Sequence, residues 1–280
     1  MIDQLRAELF SAEPSDTLYH YTSLQGLMGI IESSTLRASD VRYMNDSTEL
    51  KYAFNLLQKA ISLRTSVQTK HDEALLFFST WLRDQINKGP MLFSASFRAN
   101  GNLLSQWRGY ASHGKGMSLG FNPGAIKALA TEQQFSLGQC LYGPAQQSKI
   151  IETIIDRVVT ICASSSCLQS SFDQLEGDLL GICALFKHPA FAEEQEWRIV
   201  SQPYASPQNH PIGFREGKAM LVPFYRFNLA HNGAVRLDHV FVGPTPNADL
   251  SATALMHYLT MHKADPTNGI SDCDIPYRQR

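Results

Sequence analysis

Two short motifs of acids and hydroxyls, one imidazole and a few aromatics are the parts of this 280-residue chain whose types and spacing could do chemistry. Phe191-Ala-Glu193-Glu194-Gln195-Glu196-Trp197-Arg198-Ile199-Val200 runs three acids directly into a strand-like segment. With β geometry throughout, Glu194, Glu196 and Arg198 share one face. Carboxylates so spaced are costly unless partnered or aimed at a ligand. The plainer readings are an Arg198–Glu196 ion pair or a solvated acidic loop. In Phe93-Ser94-Ala95-Ser96-Phe97 the same alternation sets Ser94 and Ser96 opposite Phe93, Ala95 and Phe97. A row of hydroxyls there suits a cleft that hydrogen-bonds ribose or amide groups. Gln106-Trp107-x-x-Tyr110 puts Trp107 and Tyr110 at i,i+3, where they offer flat faces for stacking or pack as core. His20-Tyr21-Thr22 stands at a strand-to-helix junction. An imidazole beside helix N-terminal amides can bind a polar or anionic ligand; otherwise it is a satisfied structural histidine. Asn45-Asp46-x-x-Glu49 reads as an N-cap with its partner, Asn45 being the residue that capping does not require.

Several common sites are missing. Gly109 to Gly116 falls short of a phosphate-binding loop, because Gly116 stands where a Ser or Thr would hold magnesium and a helix-like segment precedes it. No Gly-x-Gly-x-x-Gly follows a strand, and no His-Glu-x-x-His or Gly-x-Ser-x-Gly is present. Cys140, Cys162, Cys167, Cys183 and Cys273 include no Cys-x-x-Cys pair, so reduced thiols and no sulfur-bound metal are expected. Lys and Arg number 24 against 26 Asp and Glu, a net charge of −2. That excludes a surface that grips phosphate backbone all over, while leaving room for a local basic groove. The apolar runs are too short to cross a bilayer, and the N-terminus has no basic-then-apolar leader. A cytoplasmic protein with no membrane partner is the expectation.

The elements that must position these residues follow from periodicity. A short strand is expected at Leu18–Tyr21, then a helix capped by Thr22 with Leu24, Leu27, Met28 and Ile31 as its stripe. Helices are expected from near Asp46 through Ile61, over Glu73–Ile86, Leu103–Tyr110, about Ser148–Cys167 and about Phe172–Phe186. Strands are expected at Met91–Phe97, Gly116–Phe121, Trp197–Ser201, Ala219–Phe227 and Val235–Val242, with Ser201–Gly217 a long loop. Helices early and strands late predict α+β packing in one domain over residues 1–280.

Taken in order, the motifs resemble DUF2971, a family of bacterial proteins of uncharacterised function. The pieces are Leu18-Tyr-His-Tyr-Thr22, Asn45-Asp46-x-x-Glu49, Phe93-Ser94 and Trp107-x-x-Tyr110 with Gly116–Phe121. Phe186-Lys187 through Glu194-x-Glu196-Trp197-Arg198, Val242-Gly243-Pro244 and Ile275-Pro276-Tyr277-Arg278 complete it, over about residues 18–278. That family is similar to the ADP-ribosyltransferase superfamily, which implies a split β-sandwich with the helices packed around it and NAD as co-substrate, without a metal. By this resemblance His20 contacts the adenosine-side ribose and Ser94 or Ser96 supports the nicotinamide side. Glu196 is then the catalytic acid and Glu194 engages the acceptor, roles the two can exchange. Tyr21, Thr22, Asn45, Trp107, Tyr110 and Arg198 complete the implied nucleotide site. Phe-Ser-Ala-Ser departs from the superfamily's Ser-Thr-Ser, and which aromatic stacks on nicotinamide stays open. The implied acceptor is a protein or a nucleic acid, or water if the enzyme is an NAD glycohydrolase, and the implied role a toxin or anti-phage defence effector. Two alternatives stand beside it: a metal-dependent nuclease on Asp46, Glu49, Glu194 and Glu196, and a non-catalytic nucleotide-sensing module.

Overall fold

A computed structural model describes residues 2–44, 48–65, 72–110, 116–164, 167–217, 219–231 and 233–275. In chain order the first elements are α1 (Ile2–Leu9), β1 (Leu18–Ser23), α2 (Leu24–Ser33), β2 (Thr35–Asp40), α3 (Thr48–Thr65) and α4 (Asp72–Lys88). The middle holds β3 (Phe93–Arg98), α5 (Leu104–Tyr110), β4 (Gly116–Phe121), α6 (Pro123–Glu132), β5 (Phe135–Gln139), α7 (Pro144–Ser164) and α8 (Leu168–Cys183). A 3-10 turn (Pro189–Glu194) leads into β6 (Glu196–Ser201), β7 (Ile212–Glu216) and β8 (Leu221–Asn228). The short pair β9 (Ala230–His231) and β10 (Ala234–Val235), then β11 (His239–Val242), α9 (Ala248–Met261) and β12 (Ile270–Asp272), close the fold.

The architecture is mixed α+β around one large sheet, with ten strands among the described residues. All its pairings are antiparallel except β11 with β12. β3 is its branch point. One edge of β3 pairs along its length with β6, from Ser94↔Val200 to Arg98↔Glu196. The opposite edge is shared: β2 meets its start through Ser39↔Ser94, and β1 meets its end through Tyr19↔Arg98. From there β1 continues into β4 and β11, while β2 continues into β8 and β7. The sheet is therefore split along the middle of β3, and that split positions the site.

Alternation explains which way each strand faces. Phe93, Ala95, Phe97, Trp197 and Ile199 join Leu36, Ala38, Phe227 and residues of α2, α6 and α9 in one apolar cluster. A second cluster is helical, built from α1, α3, α4, α7 and α8, with Ile151, Ile154, Ile155 and Val158 of α7 at the spacing expected of a buried stripe. α6 starts where Asn122 accepts a hydrogen bond from the Ala125 N–H and Pro123 takes the first turn.

Several expectations are corrected. Ser23, not Thr22, caps α2, its hydroxyl accepting from the Gly26 N–H at 3.1 Å; two adjacent hydroxyls made the cap ambiguous by one residue. Ser201–Gly217 is not all loop but contains β7, and the run expected as one strand at Val235–Val242 is broken between β10 and β11. Asn45 and Asp46 lie outside the described residues. No helix among the described residues is long and apolar enough to cross a membrane.

Candidate functional site

Register gathers the polar residues. Ser94, Ser96 and Arg98 stand opposite Val200, Arg198 and Glu196, and Ser39 opposite Ser94, so these side chains share one face while the phenylalanines of β3 take the other. Where β1 and β2 part, a cleft of about 640 Å³ opens on that face. It is lined by His20, Tyr21, Thr22, Ser94, Ser96, Tyr110, Glu194, Glu196 and Arg198, which the sequence singles out from four separate stretches. Trp107 is not among them, and Asn45 is not described.

At the base of the cleft sits an ion cluster. Glu196 is 0% exposed, and both its oxygens are taken. Oε1 accepts from Arg198 Nε at 2.6 Å, and Oε2 accepts from Lys187 Nζ with Arg98 Nη1 at 3.4 Å. Burial pushes this carboxyl up, but Arg198, Arg98 and Lys187 together outweigh it and hold the group well below the usual carboxylate range. Glu196 is therefore an anion at neutral pH and no proton donor. Glu194 differs. It enters from the 3-10 turn rather than the strand, after which Gln195 takes a left-handed φ of 41°. Its Oε2 meets Lys187 Nζ at 2.5 Å and Arg98 Nη2 at 2.8 Å, while Oε1 has no partner among the described residues. At 15% side-chain exposure it is the more accessible carboxylate.

Backbone anchoring fixes the cluster. Lys187 N–H donates to the Leu141 carbonyl at 3.0 Å, and its own carbonyl accepts from Gln147 Nε2 at 2.9 Å. Gln147 Nε2 also reaches the Leu141 carbonyl, and its Oε1 accepts from the Tyr52 hydroxyl. Glu196 N–H donates to the Tyr142 hydroxyl at 3.0 Å, and Arg198 Nη1 donates to the Ala184 carbonyl at 2.7 Å. Arg198 thus orients Glu196 and ties β6 to the end of α8.

Where β1 and β2 part, a side chain of β1 reaches the backbone of β3. His20 Nδ1 lies 2.9 Å from the Ser96 carbonyl. A carbonyl only accepts, so Nδ1 carries the proton and Nε2 is left as an acceptor. Desolvation pushes the imidazole below its ordinary value despite that hydrogen bond, keeping it neutral at pH 7. Tyr21 borders the cleft, but its hydroxyl is spent: it donates to the Asn100 carbonyl and accepts from the Leu103 N–H.

Four buried polar atoms on the cleft wall have no partner among the described residues: Ser94 Oγ, Arg98 Nε, Ser105 Oγ and Gln106 Oε1. Each costs about 1–3 kcal/mol while unsatisfied, so their clustering marks a surface made for a polar ligand. The charge balance agrees in sign, with Arg37, Arg98, Lys187, Arg198 and Arg215 against Glu194 and Glu196. An anionic ligand with hydroxyl and amide groups fits this lining.

Trp107 is the site residue that the structure removes. It is fully buried, its indole N–H donates to Asn102 Oδ1 at 2.8 Å, and its ring packs edge-on against Tyr21 at 4.9 Å. Helical spacing relates Trp107 to Tyr110 but does not say which of them faces inward. Arg98, Lys187, Ser105, Gln106, Arg37 and Arg215 line the cleft without having been singled out as site residues. Gln106 and Lys187 stood inside quoted motifs, so those had a signal; Arg98 is found only through its register with Glu196. For a nuclease, Glu194 and Glu196 already neutralise three cations, and no group of three His, Cys, Asp or Glu among the described residues is placed to hold a metal ion.

No curated protein and no solved structure matches the chain. A family model described as "Protein of unknown function (DUF2971)" matches residues 106–199, a stretch that runs from Gln106 at the cleft wall to the Glu194–Glu196–Arg198 cluster and supports the family resemblance there.

Proposed function

We propose that the chain binds NAD in the cleft between β1 and β2 and transfers its ADP-ribose to a macromolecular acceptor, as an effector of toxin or anti-phage type. The split sheet is the feature that favours an ADP-ribosyltransferase-like architecture over other α+β arrangements. The observation that carries the reading is the convergence of Ser94 Oγ, Ser105 Oγ, Gln106 Oε1 and Arg98 Nε, all unpartnered among the described residues, beside the Glu194 carboxylate in one cleft. Those groups suit the hydroxyls, carboxamide and phosphates of a pyridine nucleotide. When bound, NAD supplies a ribose carbon that gains positive charge as neutral nicotinamide departs.

Each residue then has a task that its surroundings permit. Glu194 lines the cleft, and its carboxylate stabilises that positive charge or takes a proton from the acceptor. Glu196, with no free oxygen, is a positioning residue that holds Lys187 and Arg98 against Glu194. His20 accepts a hydroxyl hydrogen bond at Nε2, and Ser94 and Gln106 orient polar groups at the inner end. This assigns the chemistry to Glu194 and the support to Glu196, the exchange that the sequence leaves open.

The test is release of nicotinamide and labelling of macromolecules when the purified protein meets NAD and cell lysate. Turnover that is lost in Glu194→Gln supports the reading. Absence of turnover together with absence of NAD binding by calorimetry overturns it. A second reading, nucleotide sensing without turnover, is favoured by the saturation of Glu196 by three cations. NAD binding with no product, unchanged by Glu194→Gln, would select it.

A further inference from the structure

The outer end of the sheet carries a second set of cations that the ion cluster does not use. Arg37 on β2 stands directly opposite Arg226 on β8, and Phe224 lies opposite both Ser39 and Gly213, so Arg37, Arg226 and Arg215 share one face. Like charges directly opposed on neighbouring strands repel. Among the described residues no carboxylate pairs with any of the three. Instead the guanidiniums of Arg37 and Arg226 both lie over the Phe224 ring, at 5.2 and 5.5 Å from its centroid, and Arg215 Nη2 reaches Ser39 Oγ at 3.4 Å. Gly213 makes room for this: a Cβ there would stand 2.8 Å from Arg226 Nη2 and 2.9 Å from Phe224 Cζ.

The face is also concave. Arg37 and Arg215 line both the NAD cleft and a neighbouring chamber of about 590 Å³, whose wall includes Thr22, Gln25 and Glu32. We infer that these arginines bind the phosphodiester backbone of a single-stranded nucleic acid, with one base entering the chamber. Guanidinium forks match phosphate oxygens, and an anion between Arg37 and Arg226 would relieve their repulsion. A flat bilayer cannot enter the chamber, and a duplex keeps its bases stacked, whereas an unpaired strand can splay one out. Glu32 repels the side chains of an acidic peptide but accepts a hydrogen bond from a base amine. The inference names the acceptor class of the proposed transfer and rests on that reading for the transfer step alone; strand binding needs no NAD.

The test is fluorescence anisotropy of labelled single-stranded DNA and RNA of about 16 nucleotides, the upper site size of one single-strand groove, with the full chain and no NAD. The wild type should bind at about 50 mM salt, and the triple variant Arg37→Gln/Arg215→Gln/Arg226→Gln should bind at least tenfold more weakly. Its salt slope should fall by about 2, at about 0.7 per lost phosphate contact on a single strand. Arg226→Gln alone should weaken strand binding without changing nicotinamide release from NAD. Wild type that binds neither strand, equal competition by a duplex or by polyglutamate, or a folded triple variant with unchanged affinity would overturn the inference. Strand binding in a protein that never turns over NAD would keep this inference and sink the transferase reading, so the two failures are distinguishable.

Discussion

Replacing Glu196 by Gln removes the fully buried anion of the ion cluster and leaves Lys187, Arg98 and Arg198 with Glu194 as the cluster's remaining carboxylate. Breaking a buried charge pair from one side costs about 3–5 kcal/mol, because the partner charges stay desolvated. At about 2.1 cal/mol/K per residue, the unfolding entropy of a 280-residue chain is about 0.6 kcal/mol/K, so Tm should drop by about 5–8 °C. Lys187→Met should cost a similar amount, since it strips one of the two cations shared by Glu194 and Glu196. The double variant should cost less than the sum of the two, with a coupling of about 1–3 kcal/mol. The pH dependence gives an independent check. The folded Glu196 carboxyl is held below its unfolded value of about 4.3, so its contribution is present above that pH and is lost as pH falls through the folded value. Urea unfolding at pH 7 and through the acid range should therefore show a flatter acid limb in Glu196→Gln than in wild type. A Glu196→Gln protein within about 1 °C of wild type, with an unchanged acid limb, would refute the ion cluster as described.

Three further outcomes are expected. Gln106→Leu should weaken NAD binding by about tenfold, the worth of one hydrogen bond, while leaving Tm unchanged or raised because an unsatisfied buried acceptor is gone; Gln106→Glu should retain more affinity, and calorimetry with thermal melts reads both. His20 resists protonation when folded while the unfolded chain takes up its proton near pH 6.5, so stability present above that pH drains as pH falls; His239 is shifted the same way, and only a His20→Gln variant that keeps His239 isolates the His20 share of the slope. Trp107→Ala should cost about 3–5 kcal/mol in urea unfolding as a core truncation, whereas Trp107→Phe should keep near-native NAD affinity because the ring does not line the cleft.

How far the sequence carries depends on what each residue reports. Period-two alternation in Phe93–Phe97 reports a real face, and Ser94 and Ser96 indeed look into the cleft while the phenylalanines form core. β2 escapes because Thr35-Leu-Arg-Ala-Ser-Asp40 offers only Leu36 and Ala38 to the apolar side, too little to be told from a loop. β5, with Gly138 in its middle, escapes for a related reason. The acids of Glu194-x-Glu196 are visible as a costly pair, but their cations are not: Arg98 arrives by strand register and Lys187 by the turn that ends α8. Pairing of Arg37 with Arg226 across 189 positions is invisible for the same reason. Local pattern fixes which way a side chain faces along its own element; only topology fixes what it faces.

The most direct measurement is an experimental structure of the chain with NAD or a non-cleavable analogue bound. The ligand should lie between β1 and β2, its pyridine end within hydrogen-bond distance of Ser94 Oγ or Gln106 Oε1 and its adjoining ribose beside Glu194. A nucleotide seated on another surface, or a cleft still vacant at saturating concentration, would contradict the assignment.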